Sequence, residues 1–173
     1  NRACGIARYN PNGSLDYSFD GDGLVTTDFD GYNDYCKAMI LQPDGKIVVA
    51  GGSSGNFVVV RYNPNGSLDN SFEGDGIVMT DFNGNNETGE AVALQRDGKI
   101  IVAGRSNGDF AVARYNPDGS LDGSFDGDGK VLTDFPGAWD EGFAVALQEN
   151  GKIVVAGRSD WEFAVARYNL DGS

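Results

Sequence analysis

The chain has 173 residues, of which 26 are acidic, 13 are basic and none is histidine, so its formal net charge is −13. This charge excludes a nucleic-acid partner, because phosphates are bound by lysine and arginine, and the lack of histidine excludes histidine-based triads and metal sites. No apolar run approaches the ~20 residues of a membrane span, so we expect no membrane insertion.

A repeat of 53 residues organises the chain. The tripeptide Arg-Tyr-Asn begins at positions 8, 61, 114 and 167, and every step between copies is 53 residues. A fixed period of this length is typical of repeat architectures. We therefore interpret 1–173 as a single repeat array, with a partial blade at 1–29, blades at 30–82 and 83–135, and a partial blade at 136–173.

Four short runs with β character follow one another within a unit. In the third unit they are 91–95, 99–104, 110–116 and 130–135, and Asp-Gly and Asn-Gly turns separate several of them. Runs such as 153–156 are apolar on both faces, so each sheet must be covered on both sides. The sequence predicts an all-β fold of four-stranded antiparallel blades, stacked as in a β-propeller.

Three and a fraction blades cannot close a ring, since propellers typically have 4 to 8. We expect the propeller to be partial, or to be completed by further repeats of the same chain or by other subunits. Contacts between copies would give a homo-oligomer, or a filament where a head-to-tail contact does not close.

The repeat also resembles a known family. The pattern R-Y-N-P-[DN]-G-S-L-D-x-S-F-[DE]-G-D-G-x-V-x-T-D-F occupies 61–82 and 114–135, and A-V-A-L-Q-x-[DN]-G-K-I occupies 91–100 and 144–153. Together they resemble the delta-60 repeat family. The resemblance implies a bacterial, secreted or cell-surface, propeller-like array, and it implies no defined activity and no catalytic residue.

Loops of two kinds are expected at the two ends of the blades. The tight turn at 97–98 and the long connections (11–23, 64–76 and 117–129) are nearly identical between units and share one end, the constant end. The segments that differ between units share the other, the variable end. They are 30–35, 83–88, 136–141, 53–56, 106–109 and 159–162. A function that distinguishes one unit from another must lie at the variable end.

Each long connection places oxygen-bearing side chains at alternating positions with glycine at the bend, an arrangement that suits Ca²⁺. The candidate ligands are Asp16, Ser18, Asp20, Asp22, Asp69, Ser71, Glu73, Asp75, Asp122, Ser124, Asp126 and Asp128. The match to an EF-hand loop is incomplete, because threonine occupies the twelfth position. The alternative is that these side chains hold local turns by bonding backbone N–H groups. No cofactor other than calcium is indicated.

Arginine and aspartate recur in every unit as Arg61 and Asp81 and their copies. We interpret them as an ion pair within the blade instead of a reaction centre, because a buried charge needs a partner.

Tryptophan occurs in the last unit alone, at the variable end. Trp139 lies beside Asp140 and Glu141, and Trp161 lies beside Glu162. Such aromatic side chains can stack on a sugar ring or bind a partner protein, and ordinary loop packing is the alternative. Tyr32 and Tyr35 form a weaker version of the pattern in the first full unit.

The two cysteines also depart from the repeat. Cys4 has the register of Phe57, and Cys36 has that of Gly89. Neighbouring blades could bring the two positions together, so a disulfide between them and two free thiols both remain open.

Uniform units favour a non-enzymatic extracellular or cell-surface module with a structural, adhesive or self-assembling role. A lectin-like propeller that binds glycans through the tryptophan loops is the alternative. A hydrolase with paired carboxylates such as Asp140 and Glu162 is weaker, because a glycosidase must hold two such groups in one pocket.

Overall fold

The computed structural model describes residues 3–29, 34–137 and 139–173, which form strands, turns and bends and no helix. The strands are β1 (Cys4–Ala7), β2 (Leu24–Thr27), β3 (Tyr35–Leu41), β4 (Ile47–Ser53), β5 (Asn56–Tyr62), β6 (Ile77–Thr80), β7 (Thr88–Leu94), β8 (Ile100–Ser106), β9 (Asp109–Tyr115), β10 (Lys130–Thr133), β11 (Asp140–Leu147), β12 (Ile153–Ser159) and β13 (Glu162–Tyr168). The part of the chain that the structure describes therefore contains no helix that could span a membrane.

The strands form four antiparallel sheets. The first sheet is β1-β2, the second is β3-β4-β5-β6, the third is β7-β8-β9-β10 and the fourth is β11-β12-β13. Within each sheet, every strand pairs antiparallel with the strand next to it in the sequence. The predicted four-stranded antiparallel blade is confirmed in the second and third sheets.

The sheets stack face to face, and the core lies between them. Val58 of β5 packs towards the first sheet, whereas the next residue, Val59, packs into the cluster shared with the third sheet. Phe110 and Val112 of β9 pack against Ala164 of the fourth sheet. Adjacent residues of one strand are buried on opposite faces, which explains why β4 is apolar or small along its length.

A β-bulge recurs near the start of β3, β7 and β11, opposite a glycine of the following strand. In the third sheet the register shifts between Gly89 and Ala91, opposite Gly104 of β8. A Cβ atom at Gly104 would overlap the carbonyl oxygen of Thr88. Glycine at this register lets two backbones approach more closely than any side chain would permit.

Candidate functional site

The constant end contains a guanidinium that joins two units. Nε of Arg61 donates to Oδ2 of Asp69 over 2.6 Å, and one terminal nitrogen donates to the carbonyl oxygen of Pro117, 2.6 Å away in the next unit. The other terminal nitrogen donates to Oγ of Ser71, and the guanidinium lies 4.5 Å from the centre of the Phe72 ring. Arg61 therefore ties its own long connection to the long connection of the next unit.

The ion pair predicted between Arg61 and Asp81 is corrected by this geometry. Strands β5 and β6 are antiparallel, with Phe57 opposite Thr80, so Asp81 follows β6 at the variable end while Arg61 lies near the constant end. The partner of Arg61 is Asp69 instead. The same arrangement recurs at Arg8 with Asp16 and at Arg114 with Asp122.

Cations hold the buried carboxylate of each full unit ionised. Burial alone would raise the pKa of Asp69, but hydrogen bonds from Lys46, Ser71 and Arg61 outweigh it and hold the pKa well below its usual range. Asp122 has the corresponding partners in Lys99, Ser124 and Arg114, and its pKa is likewise lowered.

The candidate calcium ligands of the long connections stabilise turns. Oδ1 of Asp69 accepts bonds from both the N–H and the hydroxyl of Ser71, and Oδ1 of Asp75 accepts from the N–H of Ile77. Glu73 adopts a positive φ of 51° at the bend. The first and third copies repeat these bonds at Asp16 with Ser18, Asp22 with Leu24, Asp122 with Ser124 and Asp128 with Lys130, and repeat the positive φ at Asp20 and Asp126.

The structure does not bring the four candidate ligands of one connection together. Among the described residues, the group of three carboxylates whose oxygen atoms converge lies at the variable end. A calcium ion at Asp69 would also have to displace Arg61 and Lys46, which are 2.6 and 2.8 Å from its Oδ2. These contacts correspond to the turn-forming alternative, and calcium binding at the long connections stays a prediction that the geometry does not favour.

The loops that differ between units do meet at one end. The backbone N–H of Asp160 donates to the carbonyl oxygen of Trp139 over 2.7 Å, which joins the two tryptophan loops. One unit earlier, the side-chain oxygen of Asn107 accepts from the N–H of Asn85. Tyr32, part of the weaker aromatic pattern with Tyr35, lies outside the described residues.

The acidic residues beside the two tryptophans have different environments. Glu141 is buried between Arg105 and Arg158, with carboxylate oxygens 3.0 and 3.2 Å from their guanidinium nitrogens. Asp140 is only 1% exposed. Glu162 is exposed at the start of β13.

Aromatic side chains stand on the free side of the fourth sheet, which we call the front face and define by Phe143, Trp161, Phe163 and Val165. Trp161 is 93% exposed and Phe163 is 82% exposed. The guanidinium of Arg158 lies 5.8 Å from the ring centres of both Phe143 and Trp161. The structure thus places Trp161 in an aromatic surface that extends beyond the loops, into β11 and β13.

Sequence reasoning missed a second cluster at the variable end. Carboxylate oxygens of Asp109, Asp134 and Asp140 all lie within 4.8 Å of one another. Aspartate at 109 is specific to its unit, because the same register holds Asn56 and Glu162 in the neighbouring units. This departure from the repeat was the available signal.

The structure joins Cys4 to Cys36 by a disulfide, with 5.4 Å between the Cα atoms. Cys4 is buried in the cluster between the first and second sheets. The bond connects β1 of the first sheet to β3 of the second, so it crosses the junction between two blades.

A family model matches the chain at 1–19, 42–72, 95–125 and 148–173, which is more than half of its length. That family is described as a domain of unknown function (DUF5122) beta-propeller. The chain belongs to this β-propeller family. The matched segments include the Arg-Tyr-Asn tripeptides and most of each long connection, whereas the first and fourth strands of the two full blades and the variable-end segments 30–35, 83–88 and 136–141 fall largely outside them.

No curated protein matches this chain of the DUF5122 family. Among solved structures, it is similar to the crystal structure of selenomethionine-substituted virginiamycin B lyase from Staphylococcus aureus, with 12% sequence identity and a TM-score of 0.44. The similarity covers 78% of this chain and 41% of that chain, so this chain spans about two-fifths of the length of that structure.

Proposed function

We propose that this chain is a non-enzymatic, extracellular repeat module of the delta-60 type, and that its front face packs against a further propeller blade. The observation that carries the proposal is the exposure of Phe163. Phe57 and Phe110 have the same register in the two preceding units, and both are completely buried by the next sheet. Phe163 is 82% exposed.

The residues around Phe163 repeat the same contrast. Val59 and Val112 are completely buried, whereas Val165, which has their register, is half exposed. Phe143 adds a large aromatic side chain where the preceding units have Lys37 and Glu90. An exposed patch of neighbouring large apolar side chains is typical of an interaction surface.

The opposite end of the stack has the complementary half of such an interface. The hydroxyls of Tyr62, Tyr115 and Tyr168 each bond a threonine hydroxyl of the preceding sheet. Tyr9 has the same register in the first sheet and is 62% exposed. The exposed side of the first sheet can therefore pack head to tail against a front face. Either a second copy or a further repeat can provide the missing blade.

The disulfide supports an extracellular location. Disulfides persist in oxidising compartments and are rare in the cytosol, where thiols are kept reduced. The bond between Cys4 and Cys36 agrees with the secreted or cell-surface array that the resemblance to delta-60 repeats implies.

Measuring the mass of the 173-residue chain by light scattering at increasing concentration tests the proposal. When the 173-residue chain is alone in solution, a second copy can supply the matching blade, so we expect association that increases with concentration. Phe163→Asp is expected to abolish it, because a charge would be buried in an apolar interface. Leu132→Asp is the control, since Leu132 is half exposed on β10, away from the front face. A parent protein that stays monomeric, or equal association in both variants, would contradict the proposal.

Glycan binding is a second candidate, and the exposure of Trp161 favours it. A ring that is 93% exposed beside the Arg158 guanidinium offers a stacking surface for a sugar. A glycan array with the parent protein and with Trp161→Ala tests this candidate. The candidate requires that the parent binds a glycan and that the variant does not. The hydrolase alternative is less favoured, because the burial of Asp140 removes it from contact with a substrate.

A further inference from the structure

Three aspartates meet where the third sheet packs against the fourth. Asp109 begins β9, Asp134 directly follows β10, and Asp140 begins β11. One carboxylate oxygen from each residue lies within 4.8 Å of the other two. Three negative charges so close together destabilise the fold unless a cation or a proton neutralises part of the charge.

One oxygen of this cluster is buried without a partner. Asp140 is 1% exposed, and its Oδ2 accepts a hydrogen bond of 2.7 Å from the N–H of Phe135. Its Oδ1 is buried and receives no hydrogen bond. A buried carboxylate oxygen without a donor is costly, so each such atom in a folded protein needs an explanation.

The two equivalent junctions show what normally satisfies this carboxylate. Between the first and second sheets, Asp34 accepts from the N–H of Phe29 and from the hydroxyl of Ser53. Between the second and third sheets, Oε1 of Glu87 accepts from the N–H groups of Phe82 and Gly84 and from the hydroxyl of Ser106, and the N–H of Phe82 also reaches Oε2. Both junctions therefore provide donors for both carboxylate oxygens, and the junction at Asp140 provides a donor for one.

Asp134 differs from its equivalent in the preceding unit in a related way. Oδ1 of Asp81 accepts a hydrogen bond from the N–H of Asn83, two residues later. The residue two positions after Asp134 is Pro136, which has no N–H to donate. The carboxylate of Asp134 therefore cannot accept the hydrogen bond that Asp81 accepts within its turn.

From these contacts we infer that Asp109, Asp134 and Asp140 form a binding site for a hard divalent cation, Ca²⁺ in the first place, with Oδ1 of Asp140 as the buried ligand. Carboxylate oxygens are the ligands that Ca²⁺ prefers, at about 2.3 to 2.6 Å. Oxygens within 4.8 Å of one another fit around one such ion. Water and backbone carbonyl oxygens would complete the coordination shell.

A bound cation would remove the repulsion among the three carboxylates. Because Asp109 and Asp134 belong to the third sheet and Asp140 to the fourth, the ion would also link two blades at the variable end.

Thermal unfolding with Ca²⁺ or with chelator tests the inference. For the parent protein, Ca²⁺ at about ten times its dissociation constant is expected to raise the melting temperature by about 3 to 5 °C. Asp109→Asn is expected to abolish the shift and to raise the melting temperature in chelator, because it removes one of the three repelling charges. Asn56 begins β5 at the same register, so asparagine is compatible with the fold here.

Two further variants make the result specific. Asp134→Asn, at an exposed position, is also expected to abolish the shift. Asp126→Asn removes the same charge from a long connection, where asparagine tolerates the positive φ of 51°, and is expected to retain the full shift. The absence of a shift in the parent, or a shift that persists in Asp109→Asn, would overturn the inference. A shift that is lost in Asp126→Asn and retained in the other two variants would also overturn it.

Terbium luminescence gives an independent readout. Tb³⁺ has the ligand preference of Ca²⁺, and both tryptophans of the chain lie in the unit that supplies Asp140. Excitation of tryptophan is expected to give Tb³⁺ emission that Ca²⁺ displaces, that is lost in Asp109→Asn and that is weakened in Trp139→Phe. Emission that Ca²⁺ fails to displace, or that is unchanged in Asp109→Asn, would count against the site.

Discussion

The hydroxyl of Tyr115 lies 2.8 Å from that of Thr80, and this buried hydrogen bond joins the third sheet to the second. The same pair joins the other junctions, as Thr27 with Tyr62 at 2.6 Å and Thr133 with Tyr168 at 2.7 Å. Each blade thus places the end of its third strand against the fourth strand of the blade before it. The bond positions neighbouring sheets as well as stabilising them, because a hydrogen bond is directional whereas apolar contact is not.

Tyr115→Phe is expected to destabilise the protein by about 1 to 3 kcal/mol, because it leaves the buried hydroxyl of Thr80 without its partner. Urea unfolding measures the change. The double variant Tyr115→Phe with Thr80→Val should recover part of the loss, since both polar groups are then removed. Tyr9→Phe is the matched control at the exposed register, and we expect a change within about 0.5 kcal/mol.

Acid is expected to destabilise the fold through Asp69 and Asp122. Their pKa values are lowered in the folded state, so the stability they contribute is present above about pH 4, the unfolded pKa of aspartate, and is lost as the pH falls below it. Urea midpoints measured from pH 6 down to acid should therefore decrease. Asp69→Asn should lower the midpoint at pH 6 and reduce its dependence on pH. An unchanged pH dependence in this variant would show that the folded state does not lower the pKa of Asp69.

Gly104→Ala is expected to destabilise the protein by about 1 to 3 kcal/mol, because the new methyl group would overlap the carbonyl oxygen of Thr88 at the β-bulge. Thermal unfolding measures this loss. Gly5→Ala is the control, since a Cβ atom there has no neighbour within 4 Å. Equal melting temperatures for the two variants would mean that the bulge relaxes to accept a side chain.

Reduction of the bond between Cys4 and Cys36 is expected to cost about 3 to 4 kcal/mol, given the 32 residues that separate them. Melting temperatures with and without reductant measure the effect, which should disappear in the double variant Cys4→Ala with Cys36→Ala. The same melting temperature for the oxidised and reduced parent would contradict a stabilising role. Alkylation without reductant should leave the mass unchanged.

The sequence by itself determined the architecture of this protein. A fixed 53-residue period, strands apolar on both faces and glycine turns require stacked antiparallel sheets, because a strand such as 153–156 has no polar face to turn towards water. These features are local and repeat in register, so no knowledge of distant contacts was needed. The same reasoning identified the two ends of the blades.

Only the tertiary structure decided which side chains meet. Because β5 and β6 are antiparallel, Asp81 lies at the end of the blade opposite Arg61. Arg61 instead bonds to Asp69, eight residues away in the sequence. Asp109 and Asp140 are separated by 31 positions, and they converge because two sheets stack at their variable ends. The exposure of Phe163 likewise follows from packing, since the same residue type is buried at Phe57 and Phe110, where another sheet covers it. Contacts between sheets depend on register and stacking, which the pattern within one unit does not specify.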